Sequence, residues 1–228
     1  MISPFYEIAT SNPNYNKSIF EIGFPKNPYD WKSIPAIFSQ GKLSIAGHPV
    51  MEDWERNYME SLANVATING GIVLEIGFGL GLSASYIQQQ TIEKHIIIEA
   101  NADVFENVKK FVQSAHTEVV PIMGFWQDEV QSFPDESFDG ILFDAYALCE
   151  DEFECHFPFF KHAHRLLKKD GIFTYYSSEV DDFSPFHLEQ LRLAGFNSIE
   201  KSICRVDPPK DCLYWNSKTI LVPIIRKK

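Results

Sequence analysis

The sequence predicts an α/β fold: a doubly wound, mostly parallel sheet of seven strands with an antiparallel strand at one edge. Three observations lead to it. From residue 71 onward, short apolar runs alternate with stretches of helical periodicity, the pattern of strands covered on both faces by helices. The first run, GIVLEIG at 71–77, passes through a glycine-rich turn into a helical segment, as the opening unit of a doubly wound sheet does. The last two β segments, at 196–205 and 213–225, follow each other directly and are read as an antiparallel pair at one edge.

Taken in order, residues 1–48 are rich in Pro, Asn, Tyr and Phe and lack a clear period. They are expected to form an N-terminal extension, or lid, with short helical pieces, ahead of a main domain over 49–228. Pro49 is placed in the first turn of a helix that runs to Ala66. Trp54, Tyr58, Leu62 and Ala66 recur every four residues as its core stripe. Met51, Glu55 and Met59 form a second stripe beside it. Strands follow at 71–77, 95–100, 117–123, 138–144 and 171–177. Helices are expected between them at 82–90, 102–115 and 152–168. A last helix at 185–195 ends in Gly195.

Composition narrows the function. Hydrophobic residues make up 45% of the 228, enough for a sizeable core and too many for a disordered chain. Every apolar run falls short of the roughly 18 residues a membrane span needs. The first twenty residues lack a basic start followed by an apolar stretch, so no signal peptide is read and a cytoplasmic location is expected. Cys149, Cys155, Cys204 and Cys212 form no C-x-x-C pair and no zinc spacing with histidine, so reduced thiols and no metal are expected. Acidic residues outnumber basic ones 31 to 20, a net charge of -11. That balance disfavours nucleic acid, whose phosphates are met by a basic face, and suits a small neutral or cationic substrate. Monomer and homodimer both remain open.

The chemistry is expected beyond the carboxyl ends of the strands, near the switch in strand order. There the chain reads Glu75-Ile76-Gly77-Phe78-Gly79-Leu80-Gly81, whose glycines allow a tight turn and close backbone approach to a ligand. Such a turn is a weak sign alone and gains weight from its place between a strand and a helix. Glu99 ends the second strand, 22 residues after Gly77, where a carboxylate can accept hydrogen bonds from two ribose hydroxyls. Together they predict an adenosine-nucleoside site. The dinucleotide fingerprint is G-x-G-x-x-G; here the third glycine comes one residue early, and acidic Glu75 would repel a pyrophosphate. Glu75 suits the ammonium and sulfonium charges of S-adenosylmethionine, which is therefore the expected cofactor. Asp144, at the end of FDGILFD, is expected over the cofactor's reactive end; capping the next helix is its alternative role.

The segments HPVMEDWERNYM (48–59), LEIGFGLG (74–81), IIIEAN (96–101), GFWQD (124–128), FDGILFDAY (138–146) and HRLLKKDGIFTYYS (164–177) resemble guanidinoacetate N-methyltransferase in order and spacing. The likeness runs from about residue 43 to the last residue, and includes the helix motif around Trp54 and Glu55, outside the general methyltransferase core. It implies a Rossmann-like class I methyltransferase. It implies that Met51, Met59, Phe78, Gly79, Leu80, Gly81, Leu82, Ser83, Glu99, Ala100, Asn101, Trp126 and Gln127 surround S-adenosylmethionine, with Trp31 covering it. It implies that Glu55 and Asp144 hold a guanidinium, with Met51, Ser178 and Glu179 also at the substrate.

The residues agree with this division. A planar guanidinium pairs with two carboxylates through forked hydrogen bonds. Its pKa lies near about 13 by analogy with arginine, so a base must take its proton as the nitrogen attacks; Asp144 is expected in that role and Glu55 as the orienting group. The segment 177–190 is shorter than is typical of the family and carries Glu179, Asp181 and Asp182. In the family this loop meets the carboxylate of guanidinoacetate with neutral groups. The expected reaction is therefore methylation of a guanidine or amine nitrogen on a small metabolite other than guanidinoacetate, with Glu179 repelling its carboxylate. The alternatives are an amino acid or peptide arginine nitrogen, or a catalytically silent cofactor-binding module.

Overall fold

The computed structural model describes residues 4–153 and 156–228. Cys155, within the helix expected at 152–168, lies outside the described residues, as do residues 1–3. Cys204 and Cys212 are free. Among the described residues no helix is long and apolar enough to cross a membrane.

The chain begins with helix α1 (Pro4–Ser11) and two 3-10 turns (Lys17–Glu21 and Pro28–Lys32). Three short strands follow, β1 (Ala36–Ser39), β2 (Lys42–Ile45) and β3 (His48–Glu52), paired as an antiparallel sheet in that order. This sheet departs from the expected unpatterned extension, and it corrects the helix start at Pro49. Two-residue turns explain it. Gln40 and Gly41 have φ of 49° and 75°, and Ala46 and Gly47 have 53° and 82°. Both turns therefore carry two left-handed residues, the geometry that matches the twist of a hairpin. Pro49 is accommodated because β3 is an edge strand of this sheet.

The helix proper, α2 (Arg56–Ala66), follows a 3-10 turn at Asp53–Glu55. Tyr58, Met59, Leu62, Ala63 and Ala66 are fully buried. Then come β4 (Ile72–Ile76), α3 (Leu82–Ile87), β5 (Lys94–Glu99), α4 (Ala102–Ser114), β6 (Val119–Met123), α5 (Trp126–Glu129), β7 (Phe138–Phe143), α6 (His156–Leu166), β8 (Leu167–Tyr175), α7 (Pro185–Leu193), β9 (Ser198–Arg205) and β10 (Thr219–Arg226). Seven of these strands form one sheet in the order β6-β5-β4-β7-β8-β10-β9. Pairing is parallel from β6 through β8, and β10 runs antiparallel to both β8 and β9. The expected doubly wound α/β fold is the one observed, except that the antiparallel strand is inserted next to the edge.

Apolar residues of α2, α3 and α4 cover one face of the sheet, and those of α6 and α7 cover the other. Strand order reverses at β4, which lies between β5 and β7. The carboxyl ends Ile76, Glu99 and Phe143 therefore open onto one crevice, where ligands of such sheets bind.

Candidate active site

The crevice is organised by the turn after β4. Gly77 has φ +87°, and its N–H donates to Ile98 O at 2.9 Å. A Cβ at Gly77 would stand 2.2 Å from Asp144 O. The missing side chain thus admits the chain leaving β7, so this glycine positions Asp144 as well as opening the turn. Asp144 N in turn donates to Ile76 O at 2.8 Å. A Cβ on Gly79 would meet Met51 Sδ at 2.8 Å, which places the β3 methionine directly over the turn. Glu99 Oε2 accepts from Phe78 N at 3.0 Å and Oε1 from Asn101 N at 2.7 Å. Burial pushes its pKa up against these backbone donors. The backbone N–H groups of Ala100 and Gly79 also act on this carboxylate, so a ribose hydroxyl bound there would share its oxygens with them.

A cavity with about 600 Å³ of empty space is lined here by Trp31, Met51, Gly77, Gly79, Glu99, Ala100, Trp126, Gln127 and Asp144, among others. Trp31 stacks on Tyr146 at 5.5 Å between ring centroids. Gln127 Nε2 donates to Glu152 at 3.2 Å, and its Oε1 is buried without a partner. That oxygen can accept from an exocyclic amine such as that of adenine. The cleft fits S-adenosylmethionine on two counts: the Glu99 carboxylate in its wall and the unpaired Gln127 oxygen.

Other expected cofactor residues lie behind this lining. Met59 is in the core, and Gly81 precedes α3, which Leu82 and Ser83 begin. Phe78 packs its ring on Phe111, and Leu80 N faces Met51 Sδ at 3.3 Å. Asn101 caps α4 and donates to Trp31 O and Ile34 O at 2.9 and 2.8 Å, which ties the N-terminal segment to the cleft. Glu75 corrects the sequence reading. Its side chain is fully buried and lines neither cavity described here. Ser83 Oγ donates to one carboxylate oxygen, and His95 Nε2 stands 2.9 Å from the other. Side chains alternate along a strand, and Glu75 falls on the side facing α3. Its charge reaches the site by repelling the Asp144 carboxylate.

A second cavity, with about 650 Å³ of empty space, adjoins the first and shares Val50, Asp144, Ala145 and Tyr146 with it. Glu55 lies in its wall, 2% exposed. Glu55 Oε1 accepts from Tyr214 Oη at 2.6 Å and from Glu52 N at 2.7 Å. Burial, then the Asp144 charge, pushes Glu55 up to about 8; burial, then the Glu75 charge, pushes Asp144 up to about 7. Asp144 is enclosed by protein yet keeps accessible surface, because that surface is cavity wall. The remaining lining includes Tyr15, Ile19, Phe153, His156, Tyr176 and Ser178, and no lysine or arginine among the described residues.

Ser178 reaches this cavity in a left-handed conformation, φ +55°. Its Oγ meets Tyr15 Oη at 3.0 Å, and its O accepts from Asn12 Nδ2 at 2.9 Å, so the N-terminal segment closes over the cavity. Glu179, expected at the substrate, is turned away. Its Oε1 accepts from Ser184 N at 2.9 Å and stands 3.2 Å from His187 Nδ1. A carboxylate that stabilises the first turn of α7 and a buried histidine has no reason to face the substrate. Met51 lines the cofactor cleft and not this cavity. Sequence reading missed Tyr15, Tyr176 and Tyr214. Tyr15 and Tyr214 lie outside regular elements, and Tyr176 directly follows a strand; only their joint arrival at Glu55 and Asp144 marks them.

The family model of guanidinoacetate N-methyltransferase matches residues 18–228. The chain belongs to the guanidinoacetate N-methyltransferase family. It is thereby placed among the S-adenosylmethionine-dependent methyltransferases of Rossmann-like fold. Protein arginine N-methyltransferase 2 of Yarrowia lipolytica is 31% identical over 136 residues, which are 56% of this chain and 28% of that protein. The protein of the same name from Saccharomyces cerevisiae is 29% identical over 136 residues, 56% of this chain and 32% of that one. The chain spans about a third of the length of the curated relatives it matches. Among solved structures, spermidine synthase from Thermotoga maritima superposes with a TM-score of 0.59 at 21% identity, over 82% of this chain and 65% of that one, a likeness of fold. For this guanidinoacetate N-methyltransferase family member, the acidic pair and the adjoining cleft are the features that bear on substrate.

Proposed function

We propose that the protein methylates a guanidine nitrogen of a small molecule, with Asp144 as base and Glu55 as orienting group. The observation that carries this reading is the pair of buried carboxylates in one cavity that adjoins the cofactor cleft at Asp144. When bound, S-adenosylmethionine supplies an electrophilic methyl group. Trp31, Met51, Gly79, Glu99, Trp126 and Gln127 would hold it. The two hydrogen bonds to Glu55 Oε1 fix that carboxylate and leave Oε2 for the substrate. Raised pKa values mean that both acids hold protons near neutrality in the empty site. An entering guanidinium favours their ionised forms, so binding and readiness of the base are coupled. Asp144, at the junction of the two cavities, then takes the proton that the nitrogen releases.

Glu179, engaged by Ser184 and His187, does not repel a substrate carboxylate; the composition of the cavity wall disfavours guanidinoacetate instead. A carboxylate at the far end of the substrate would find no lysine or arginine among the described residues of the lining, and burial disfavours the charged form of its histidine, His156. The Glu179 N–H is already engaged by Ser177 Oγ at 3.2 Å. Guanidines with a neutral or cationic far end are therefore the proposed substrates. A peptide arginine is the second reading, favoured by the names of the two arginine methyltransferase relatives; it requires Tyr15 and Asn12 to leave Ser178. Incubation with labelled methyl donor and a panel of guanidinoacetate, amine-bearing guanidines, free arginine and an arginine peptide tests both. Guanidinoacetate used faster than every other guanidine would overturn the preference for a neutral or cationic far end, and methylation of the peptide alone would overturn the small-guanidine assignment.

A further inference from the structure

Four tyrosines line the acceptor cavity, and three have their hydroxyls engaged, Tyr146 Oη lying 3.2 Å from His48 Nδ1. Tyr15 Oη meets Ser178 Oγ, and Tyr214 Oη donates to Glu55. Tyr176 differs. Its Oη is buried and makes no hydrogen bond, although the residue lines the cavity. It is close enough to Glu55 and Asp144 for both charges to act on it. The Tyr176 ring has an evident role, packing edge-on against Tyr58 with centroids 5.3 Å apart. A phenylalanine ring would serve that contact equally, so only the oxygen lacks an explanation. Buried hydroxyls without partners are unfavourable and uncommon in native folds.

Three groups in this cavity thus keep unused hydrogen-bonding capacity: Glu55 Oε2, the Asp144 carboxylate and Tyr176 Oη. We infer that Tyr176 is a specificity-determining residue, whose hydroxyl oxygen accepts an N–H of the bound guanidinium and so selects guanidines over primary amines. The inference rests on the guanidine reading above and adds a third contact to it. A singly substituted guanidinium presents five N–H donors in one plane. Asp144 in forked contact accepts two of them and Glu55 Oε2 a third, which leaves donors still requiring an acceptor. The Tyr176 oxygen can supply one. An ammonium presents three donors as a tripod, and two carboxylates satisfy those without the tyrosine. The hydroxyl therefore favours the planar cation alone.

Tyr176→Phe removes this oxygen and nothing else. Calorimetric titration of the full chain, saturated with S-adenosylhomocysteine, with n-butylguanidine and n-butylamine as probes tests the assignment. The wild type is expected to bind the guanidine tighter than the amine. The variant should lose about tenfold on the guanidine, the worth of one hydrogen bond to a charged group. Its affinities for the amine and for S-adenosylhomocysteine should be unchanged. Its thermal midpoint without ligand should equal or exceed that of the wild type, because the deleted oxygen has no partner. A variant that keeps the guanidine affinity, or weakens both probes equally, overturns the role of Tyr176. Equal affinity of the wild type for the two probes overturns it without any variant. Binding of neither probe by the wild type sinks the guanidine reading itself, an outcome distinct from a guanidine that binds the two proteins alike.

Discussion

At the scale of single residues, the site is a balance between two acids and the groups that hold them. Asp144→Asn and Glu55→Gln keep size and lose charge. Each should lower turnover while leaving cofactor affinity near normal, since removing one partner of a desolvated ion pair costs about 2–5 kcal/mol. Steady-state kinetics beside cofactor titration checks this; near-normal turnover in both variants would contradict it. Because Asp144 and Glu55 titrate at about 7 and about 8 in the free protein, and a guanidinium stays charged throughout, kcat/KM should rise with pH across that range. Tyr214 holds Glu55 down through its hydrogen bond. Tyr214→Phe should therefore move the upper limb of the profile to higher pH, and a profile that stays in place or moves the other way refutes that coupling. On the cofactor side, Glu99→Ala should cost about 1–3 kcal/mol, roughly ten- to a hundredfold in S-adenosylmethionine affinity. Unchanged affinity in a folded Glu99→Ala protein would remove Glu99 from the nucleoside site.

At the scale of elements, what could be read from the sequence depended on whether the signal was local. The apolar runs that became β4, β5, β7 and β8 announced themselves, because strands buried on both faces need continuous apolar sequence. The hairpins at 36–52 did not. Their turns use Gln-Gly and Ala-Gly in place of the usual Asn-Gly or Asp-Gly, and Met51 and Glu55 happen to fall at helical spacing with Met59. Glu55 and Asp144 were legible because carboxylates interrupt apolar patterns. Tyr176 and Tyr214 were not, since aromatic residues fit a core equally well. The orientation of Glu179 was also beyond sequence: it depends on His187 and Ser184 of the next helix. Glu179→Thr is accordingly expected to loosen the start of α7 and leave the choice of guanidine unchanged. The β4 turn gives a sharper test. Gly77→Ala puts a methyl group 2.2 Å from Asp144 O at a left-handed position. The strain alone is about 1–2 kcal/mol, and the carbonyl must also move. Thermal unfolding should show a clear loss of stability, and activity should fall by more than tenfold as Asp144 shifts; a stable, fully active variant would show that Gly77 does not position it.

At the scale of the molecule, three acids with raised pKa values, Glu55, Asp144 and Glu99, act against stability. Between about pH 4 and pH 8 the folded chain retains protons that the unfolded chain has released. Stability therefore falls as pH rises through that window. His156 and His187 are held low by burial and act in the opposite sense below about pH 6.5, so the comparison belongs between pH 6.5 and pH 8. There Asp144→Asn should unfold at a higher temperature than the wild type, by an amount that grows with pH and is on the order of 4 kcal/mol at the alkaline end. Differential scanning across that range decides it, and a gap that is constant or shrinks with pH would refute the account.

The insertion of β10 between β8 and β9 separates order along the chain from order in the sheet. During synthesis β9 leaves the ribosome first and has no sheet edge to join. Its place becomes available only when β10, formed afterwards, has docked on β8. Leu221 within β10 supplies the carbonyl that accepts from both Tyr58 Oη and Ser177 Oγ, at 2.8 and 2.7 Å, and the N–H that donates to Glu179 O at 2.8 Å. The helix after Glu55 and the loop carrying Ser178 are thus pinned by a residue translated after both. A nascent chain arrested before residue 219 would already contain the nucleotide-binding turn and both acids, yet it would lack the clamp that brings the acceptor wall into register. Closure of the acceptor wall is in this sense a deferred step, withheld until β10 is threaded into the interior of the sheet.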